Sequence, residues 1–353
     1  MKRLKAISLI LSILLIMSSV TLFAAAEGKT ALSLELGIEP LREQFEFGIG
    51  PETEGFSIDY RYYSPAGEND ENKYPLVIWL HGMGDGSEDG RQIDTNNVAN
   101  WVSAEYQSRF TNGGAYIMAP RSVEEQKLFW TDELILPLRA AIDDFIAKNE
   151  NVDVSRIYIG GYSMGGKMTL KMAVAYPEMF AAAFPICPAW APEKEATAFL
   201  FDIPVWLVSS LADPLVNYFS WVMPTWENIM SSSTVKENCR FSTLSLVAYA
   251  NGVPAISNHY AWFAVNNDMF SDKNGKYPFM KTVDGNGDKV ELEHPNGMIS
   301  WLCNFTSDYD GSAATDGGNS EAKGDYKTGY NFKFVVQFMK YFVKYIFSCL
   351  KFR

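Results

Sequence analysis

Histidine and cysteine are scarce in this chain, at three and four of 353 residues. The cysteines, Cys187, Cys239, Cys303 and Cys349, stand far apart and form no CxxC pair. That spacing argues against a zinc site or a disulfide scaffold, and buried free thiols are the plainer reading. Positive charge is short as well, with 30 lysines and arginines against 42 acids and a net charge of −12. A surface this acidic repels a phosphate backbone, and no basic stripe interleaved with aromatics runs through the body of the chain. Nucleic acid is therefore a poor partner. The apolar run Ala6 to Met17 is short for a membrane span.

What is present starts with a leader. Met1-Lys2-Arg3-Leu4-Lys5 is basic, the apolar run follows, and Ala24-Ala25-Ala26 supplies small residues before Glu27. Residues 1–26 read as a secretory signal peptide cleaved after Ala26, which implies a secreted or cell-surface protein; the alternative is an uncleaved anchor. With 47% hydrophobic and 14% aromatic residues, the remainder can fill one large core.

The pattern along the chain alternates strands with helices. Gly55 to Tyr63 alternates as an antiparallel edge strand would, after an early strand somewhere in 27–55. Pro75 to Leu80 is continuously apolar, as in a strand buried on both faces of a parallel sheet. Further strands are expected at Ala115–Pro120, Ile157–Ile159, Ala181–Ile186, Ile203–Val208 and Leu244–Tyr249. A helix is expected over Glu133–Lys148, where Leu134, Leu138, Ala141, Ile142 and Phe145 recur at helical spacing. This predicts an α/β fold, a doubly wound and mostly parallel sheet flanked by helices, with its site at the carboxyl ends of the strands.

Residues 27–304 form the expected catalytic domain, with 264–297 as an insertion that would cap the site. Gly, Ser, Asp and Ala dominate beyond Asn304, so 305–330 reads as a flexible linker. Residues 331–353 carry five Lys or Arg and no acid. On a helix their polar residues form one stripe, suited either to an anionic membrane surface or to docking on the enzyme body. Asp284-Gly285-Asn286-Gly287-Asp288 opens like a calcium loop, but Lys289 and Pro295 stand where glycine and glutamate are needed. It reads as a glycine-rich turn.

The chemistry concentrates in Gly161-Tyr162-Ser163-Met164-Gly165, between the strand Ile157–Ile159 and a helix-compatible run from Lys167. This fits a G-x-S-x-G nucleophile elbow, where a strained turn projects the serine oxygen clear of the backbone. The bare pattern arises by chance about 0.1 times in a chain this long, so its strand-to-helix placement carries the weight. A serine needs a base, and the base needs an orienting acid. His81 lies in an HG-type loop that would act through its backbone, and His294 sits in a Glu-rich turn with nothing nearby to mark a site. His259 follows the last expected strand, where a loop delivers it to Ser163. Asp213 directly follows the Ile203–Val208 strand and supplies the acid, unless it merely starts a turn before Pro214. The order Ser163, Asp213, His259 is the order of the elbow's usual partners. The backbone N–H groups of Met164 and Met83 would form the oxyanion hole. Tyr162, Trp130 and Trp190 are candidates to line the substrate pocket, although large aromatics are as often core.

Five motifs in order now carry a resemblance: Tyr74 to Gly82; Asp153 to Tyr158 with the elbow; Tyr176 to Ala183; Leu211-Ala212-Asp213-Pro214; and His259-Tyr260-Ala261-Trp262. Over about residues 45–302 the chain resembles secreted α/β-hydrolases of the feruloyl-esterase and polyhydroxybutyrate-depolymerase type, a group that includes proteins described as predicted peptidases. The resemblance implies the α/β-hydrolase fold, the Ser163–Asp213–His259 triad and ester hydrolysis without a cofactor or metal. Small-molecule or polysaccharide-linked esters would be its substrates. A serine peptidase with the same triad, and a non-catalytic surface binding protein on the same fold, are the rival readings.

Overall fold

Tyr74–Leu80 is buried along its whole length, as its unbroken apolar run requires. In this computed structural model it is the third of nine strands found among the described residues, which are 39–67, 71–122, 129–248, 254–267, 279–292 and 297–312. The leader 1–26, His294 and residues 313–353, with the expected terminal helix, lie outside them. Residues up to Gln44 make a unit of their own, in which Glu39–Arg42 forms a helical turn. The second unit runs from Phe45 onward.

The strands of that unit are β1 (Glu46–Ile49), β2 (Asp59–Tyr63), β3 (Tyr74–Leu80), β4 (Tyr116–Pro120), β5 (Val152–Tyr162), β6 (Ala182–Ile186), β7 (Trp206–Ser210), β8 (Arg240–Leu244) and β9 (Met280–Asp284). They form one sheet in the order β1-β2-β4-β3-β5-β6-β7-β8-β9. The run from β4 to β8 is parallel, and antiparallel strands close both edges. The order reverses beside β3 and β5, so loops leaving their carboxyl ends face a common crevice. Helices α1 (Ile135–Lys148), α2 (Met164–Ala175) and α3 (Met223–Ser232) are the longest. The apolar stripe of α1 places Leu138, Ala141, Ile142 and Phe145 at 0–1% exposure. Burying one such large side chain contributes roughly 1.5–3 kcal/mol. Among the described residues no helix is long and apolar enough to cross a membrane.

Three segments differ from the sequence-based expectation. The eighth strand ends at Leu244 instead of running from Leu244 to Tyr249. Val247 and Ala248 are buried, as their apolar character demands, but the Val247 N–H goes to the Asn258 side chain at 2.9 Å rather than to a neighbouring strand. The expected cap at 264–297 contributes β9, which pairs along the whole of β8. In its described part this segment therefore extends the sheet. At the end of β9, Asp284 Oδ1 accepts the N–H groups of Asn286 and Asp288. That is the turn the glycines suggested.

The third difference lies at residues 305–312, read from sequence as the start of a flexible linker. Ser307 N–H donates to the Ser155 carbonyl at 2.8 Å, and Tyr158 Oη donates to the Phe305 carbonyl. Tyr309 is 7% exposed and its hydroxyl is hydrogen bonded to the Arg139 guanidinium, which also reaches Asp143 and the Ser312 carbonyl. Arg139 is stacked on the rings of Tyr176 and Tyr309. A guanidinium so deeply buried needs every partner, and one aromatic in a polar stretch is too weak a pattern to announce that need. Tyr309→Ala is expected to lower the unfolding free energy by about 2–4 kcal/mol, and Tyr309→Phe by about 1 kcal/mol, read from urea midpoints.

Candidate active site

β5 delivers the chain to Ser163 at φ 59° and ψ −110°, a left-handed conformation that costs a serine about 1–3 kcal/mol. The surroundings hold it there. Its N–H donates to the Ile186 carbonyl at 2.8 Å, and its carbonyl accepts from Lys167 at 3.0 Å and Ala189 at 3.1 Å. A Cβ on Gly165 would stand 2.0 Å from the Leu80 oxygen, and one on Gly161 2.5 Å from the same atom. Both flanking glycines are therefore steric necessities where α2 starts against the end of β3.

The structure brings Ser163, His259 and Asp213 together from three separate loops. His259 Nε2 lies 3.0 Å from Ser163 Oγ, and Nδ1 lies 2.7 Å from Asp213 Oδ2. The carboxylate accepts only, so Nδ1 carries the proton and Nε2 is left to accept from the serine. The turn reading of Asp213 holds at the same time. Oδ1 accepts the N–H groups of Leu215 and Val216 at 2.8 and 2.9 Å, which aims Oδ2 at the imidazole.

The histidine loop is tied down on both sides. His259 N–H donates to Ser257 Oγ, and the Cys187 thiol donates to the His259 carbonyl. Beyond it the helical turn Trp262–Asn266 ends in a fully buried Asn266. Its Oδ1 accepts from Trp101 Nε1 at 2.8 Å, its Nδ2 donates to the Asn96 carbonyl at 2.7 Å, and its own carbonyl accepts from Asn100. This network joins the histidine loop to the segment behind the oxyanion loop. A single asparagine carries no sequence signal for such a network.

His81 is buried at the start of the loop that follows β3. Nε2 accepts the Ser122 N–H at 3.0 Å, so Nδ1–H donates to the Gly82 carbonyl. Burial foremost, and the charge of Arg121 besides, hold its pKa down at about 4 against an ordinary 6.5. Arg121 is paired with Asp59 and also donates to the Gly86 carbonyl, further round the same loop. Met164 opens α2, so its N–H belongs to the first turn and has no acceptor within the helix. Met83, two residues past His81, exposes its side chain.

The three aromatics expected to line a pocket are all largely buried. Trp130 is 1% exposed, its Nε1 donates to the His81 carbonyl at 2.9 Å, and its ring lies 5.1 Å from the His81 ring. It backs the loop that follows β3. Trp190 lies over Lys171, whose buried ammonium is paired with Asp132. Tyr162 is 5% exposed, its ring 4.8 Å from that of His259, and it fills the space beside Gly82. Sequence offers an aromatic and its neighbours, and only packing says which side of a loop it occupies. Cys187 (φ 43°) is fully buried behind the triad, and burial together with the Asp213 charge pushes its thiol well above the ordinary range.

The fold has a parallel among solved structures. A crystal structure of a thermostable esterase superposes with a TM-score of 0.53 and 26% identity, over 65% of this chain and 61% of that one. The fold is that of the α/β-hydrolases. Residues 55–222 match the Esterase family model, described as "Putative esterase". A poly(3-hydroxyalkanoate) depolymerase C from Paucimonas lemoignei is 43% identical over 63 residues, 18% of this chain and 14% of that protein. The chain thus spans less than two thirds of either relative.

His81 makes stability depend on pH. Its folded pKa lies below its unfolded value, so its contribution is complete above about pH 6.5 and is lost as the pH falls toward 4. Wild type is expected to lose roughly 3 kcal/mol more across that window than His81→Gln, by urea denaturation at a series of pH values. Equal losses would refute the buried neutral imidazole.

Proposed function

We propose that the protein is a serine hydrolase that cleaves carboxylic esters through an acyl-enzyme. The observation that carries this is the unbroken hydrogen-bonded path from Ser163 Oγ through His259 to Asp213. Ser163 Oγ attacks the ester carbonyl while His259 Nε2 takes its proton, and Asp213 stabilises the imidazolium. The N–H groups of Met164 and Met83 receive the oxyanion, each contributing roughly 3–4 kcal/mol to lowering the barrier. Collapse expels the alcohol, which leaves with the proton held on His259. Water then attacks the acyl-serine, giving its proton to His259, and the acid departs as Ser163 recovers its own. No step calls for a cofactor.

The rim favours an ester with an apolar portion. Met83, Leu211 and Ile256 are 44–59% exposed, and in the chain they stand within three residues of His81, Asp213 and His259 respectively. The matched relative is named a depolymerase of poly(3-hydroxyalkanoate), itself a polyester. Esters on plant polysaccharides remain a second substrate class, resting on the sequence resemblance. Export through residues 1–26 and membrane contact through 331–353 belong to the same proposal and rest on sequence character alone.

The test is labelling by a fluorophosphonate beside turnover of p-nitrophenyl butyrate. Wild type should label and turn over; Ser163→Ala and His259→Ala should do neither. Asp213→Asn should lower kcat by about 10³–10⁴-fold, since an amide no longer enforces the productive tautomer. Full labelling of His259→Ala would move the base to His294, and an unlabelled wild type would bring the binding-protein reading forward. Cleavage of a peptide amide at a comparable rate would favour a peptidase.

A further inference from the structure

The Cys187 thiol is a buried nucleophilic group that the proposed reaction does not use, and it lies against two members that the reaction does. Cys187 Sγ, a carboxylate oxygen of Asp213 and a ring nitrogen of His259 all lie within 4.8 Å of one another, each residue buried. Tetrahedral zinc bonds thiolate sulfur at about 2.3 Å and imidazole nitrogen or carboxylate oxygen at about 2.0–2.2 Å, which sets its ligand atoms roughly 3–4 Å apart. Nδ1 and Oδ2 already stand 2.7 Å from each other. The triangle therefore needs only small shifts to close on a metal.

We propose that Cys187, Asp213 and His259 form a capture site for a zinc-class divalent cation, and that filling it switches the triad off. The inference rests on the triad reading above. Sγ, Oδ2 and Nδ1 each form one bond to the metal, and water completes the shell. The thiol proton leaves to solvent, because a coordinated thiol is deprotonated outright. The Nδ1 proton is displaced and Nε2 takes one up, so the imidazole stays neutral in its other tautomer. Thiolate and carboxylate together balance the dication, so no net charge is left in the dry interior.

That tautomer explains the inhibition. With Nε2 protonated, the ring donates toward Ser163 Oγ and no longer accepts its proton. The supporting shell is in place. Ser209 Oγ already donates to Cys187 Sγ at 3.8 Å, and the N–H groups of Leu215 and Val216 hold Asp213 through Oδ1, leaving Oδ2 for the metal. One sulfur, one nitrogen and one oxygen select zinc or cobalt over magnesium or calcium, which prefer all-oxygen shells. Burial of all three side chains predicts slow onset, since the imidazole must swing aside to admit the ion.

The experiment measures p-nitrophenyl butyrate turnover after incubation with zinc, each protein against its own metal-free rate. Roughly 100 µM zinc should lower the wild-type rate about tenfold or more over minutes, EDTA should restore it, and magnesium should have no effect. Cys187→Ala should lose this sensitivity. Cobalt gives a readout independent of turnover, a near-ultraviolet thiolate-to-metal band on the wild type. That band should vanish in Cys187→Ala and in His259→Ala, and persist in Cys303→Ser. A wild type that turns over at full rate in zinc, or a Cys187→Ala inhibited as strongly as wild type, overturns the metal site and leaves the esterase reading standing. If wild type neither turns over ester nor labels with fluorophosphonate, the esterase reading falls and the cobalt band alone decides the site. Should Cys187→Ala fail to fold, a wild-type band that survives in His259→Ala overturns the proposal.

Discussion

The contact between the Leu80 carbonyl and Gly165 is the constraint from which the site follows. No side chain fits between the end of β3 and the first turn of α2. That approach stands the loop after β3 beside Ser163, because the loop leaves β3 where α2 begins. It also forces the turn at Ser163 into a positive φ, and three backbone hydrogen bonds supply the restraint that keeps it there. A strained residue persists only where its surroundings over-determine it, and here they do so from β3, β6 and α2 at once.

Environment sorts the two described histidines into different duties. His81 has both ring nitrogens committed to backbone groups and lies out of reach of water, so it is a neutral strut for the loop. His259 keeps one nitrogen for a carboxylate and one for a hydroxyl, which is the arrangement proton transfer requires. Trp130 and Arg121 extend the strut outward, and the Asn266 network does the same for the histidine loop. Three side chains, Ser163, His259 and Asp213, are joined by hydrogen bonds. Holding them to within a fraction of an ångström takes a second layer drawn from across the chain.

The same packing accounts for the thiol behind the triad. Cys187 follows the carbonyl that anchors Ser163, and its own sulfur meets the His259 carbonyl. Its position is thus dictated by the elbow and the histidine loop together. Protonated, it is a small apolar filler; beside a soft cation it becomes a ligand.

Local pattern carried a large part of this molecule. The apolar run of β3, the helical spacing of α1 and the glycines around Ser163 each encode a local demand, for burial or for backbone clearance, that is readable within ten residues. Chain order sufficed to pair Ser163 with Asp213 and His259, because strands of a parallel sheet deliver their loops to one edge. The rest was settled in three dimensions. Nothing within the sequence of Trp130 or Trp190 says which side of a loop the ring will take. Tyr309, standing in a polar stretch, does not announce a buried guanidinium on a helix, 170 residues earlier. The sequence of β9 does not say whether it will cover the site or lengthen the sheet. Those outcomes depend on partners distant in sequence, whose contacts exist only once the chain has folded. Local sterics can be read residue by residue, and long-range complementarity cannot.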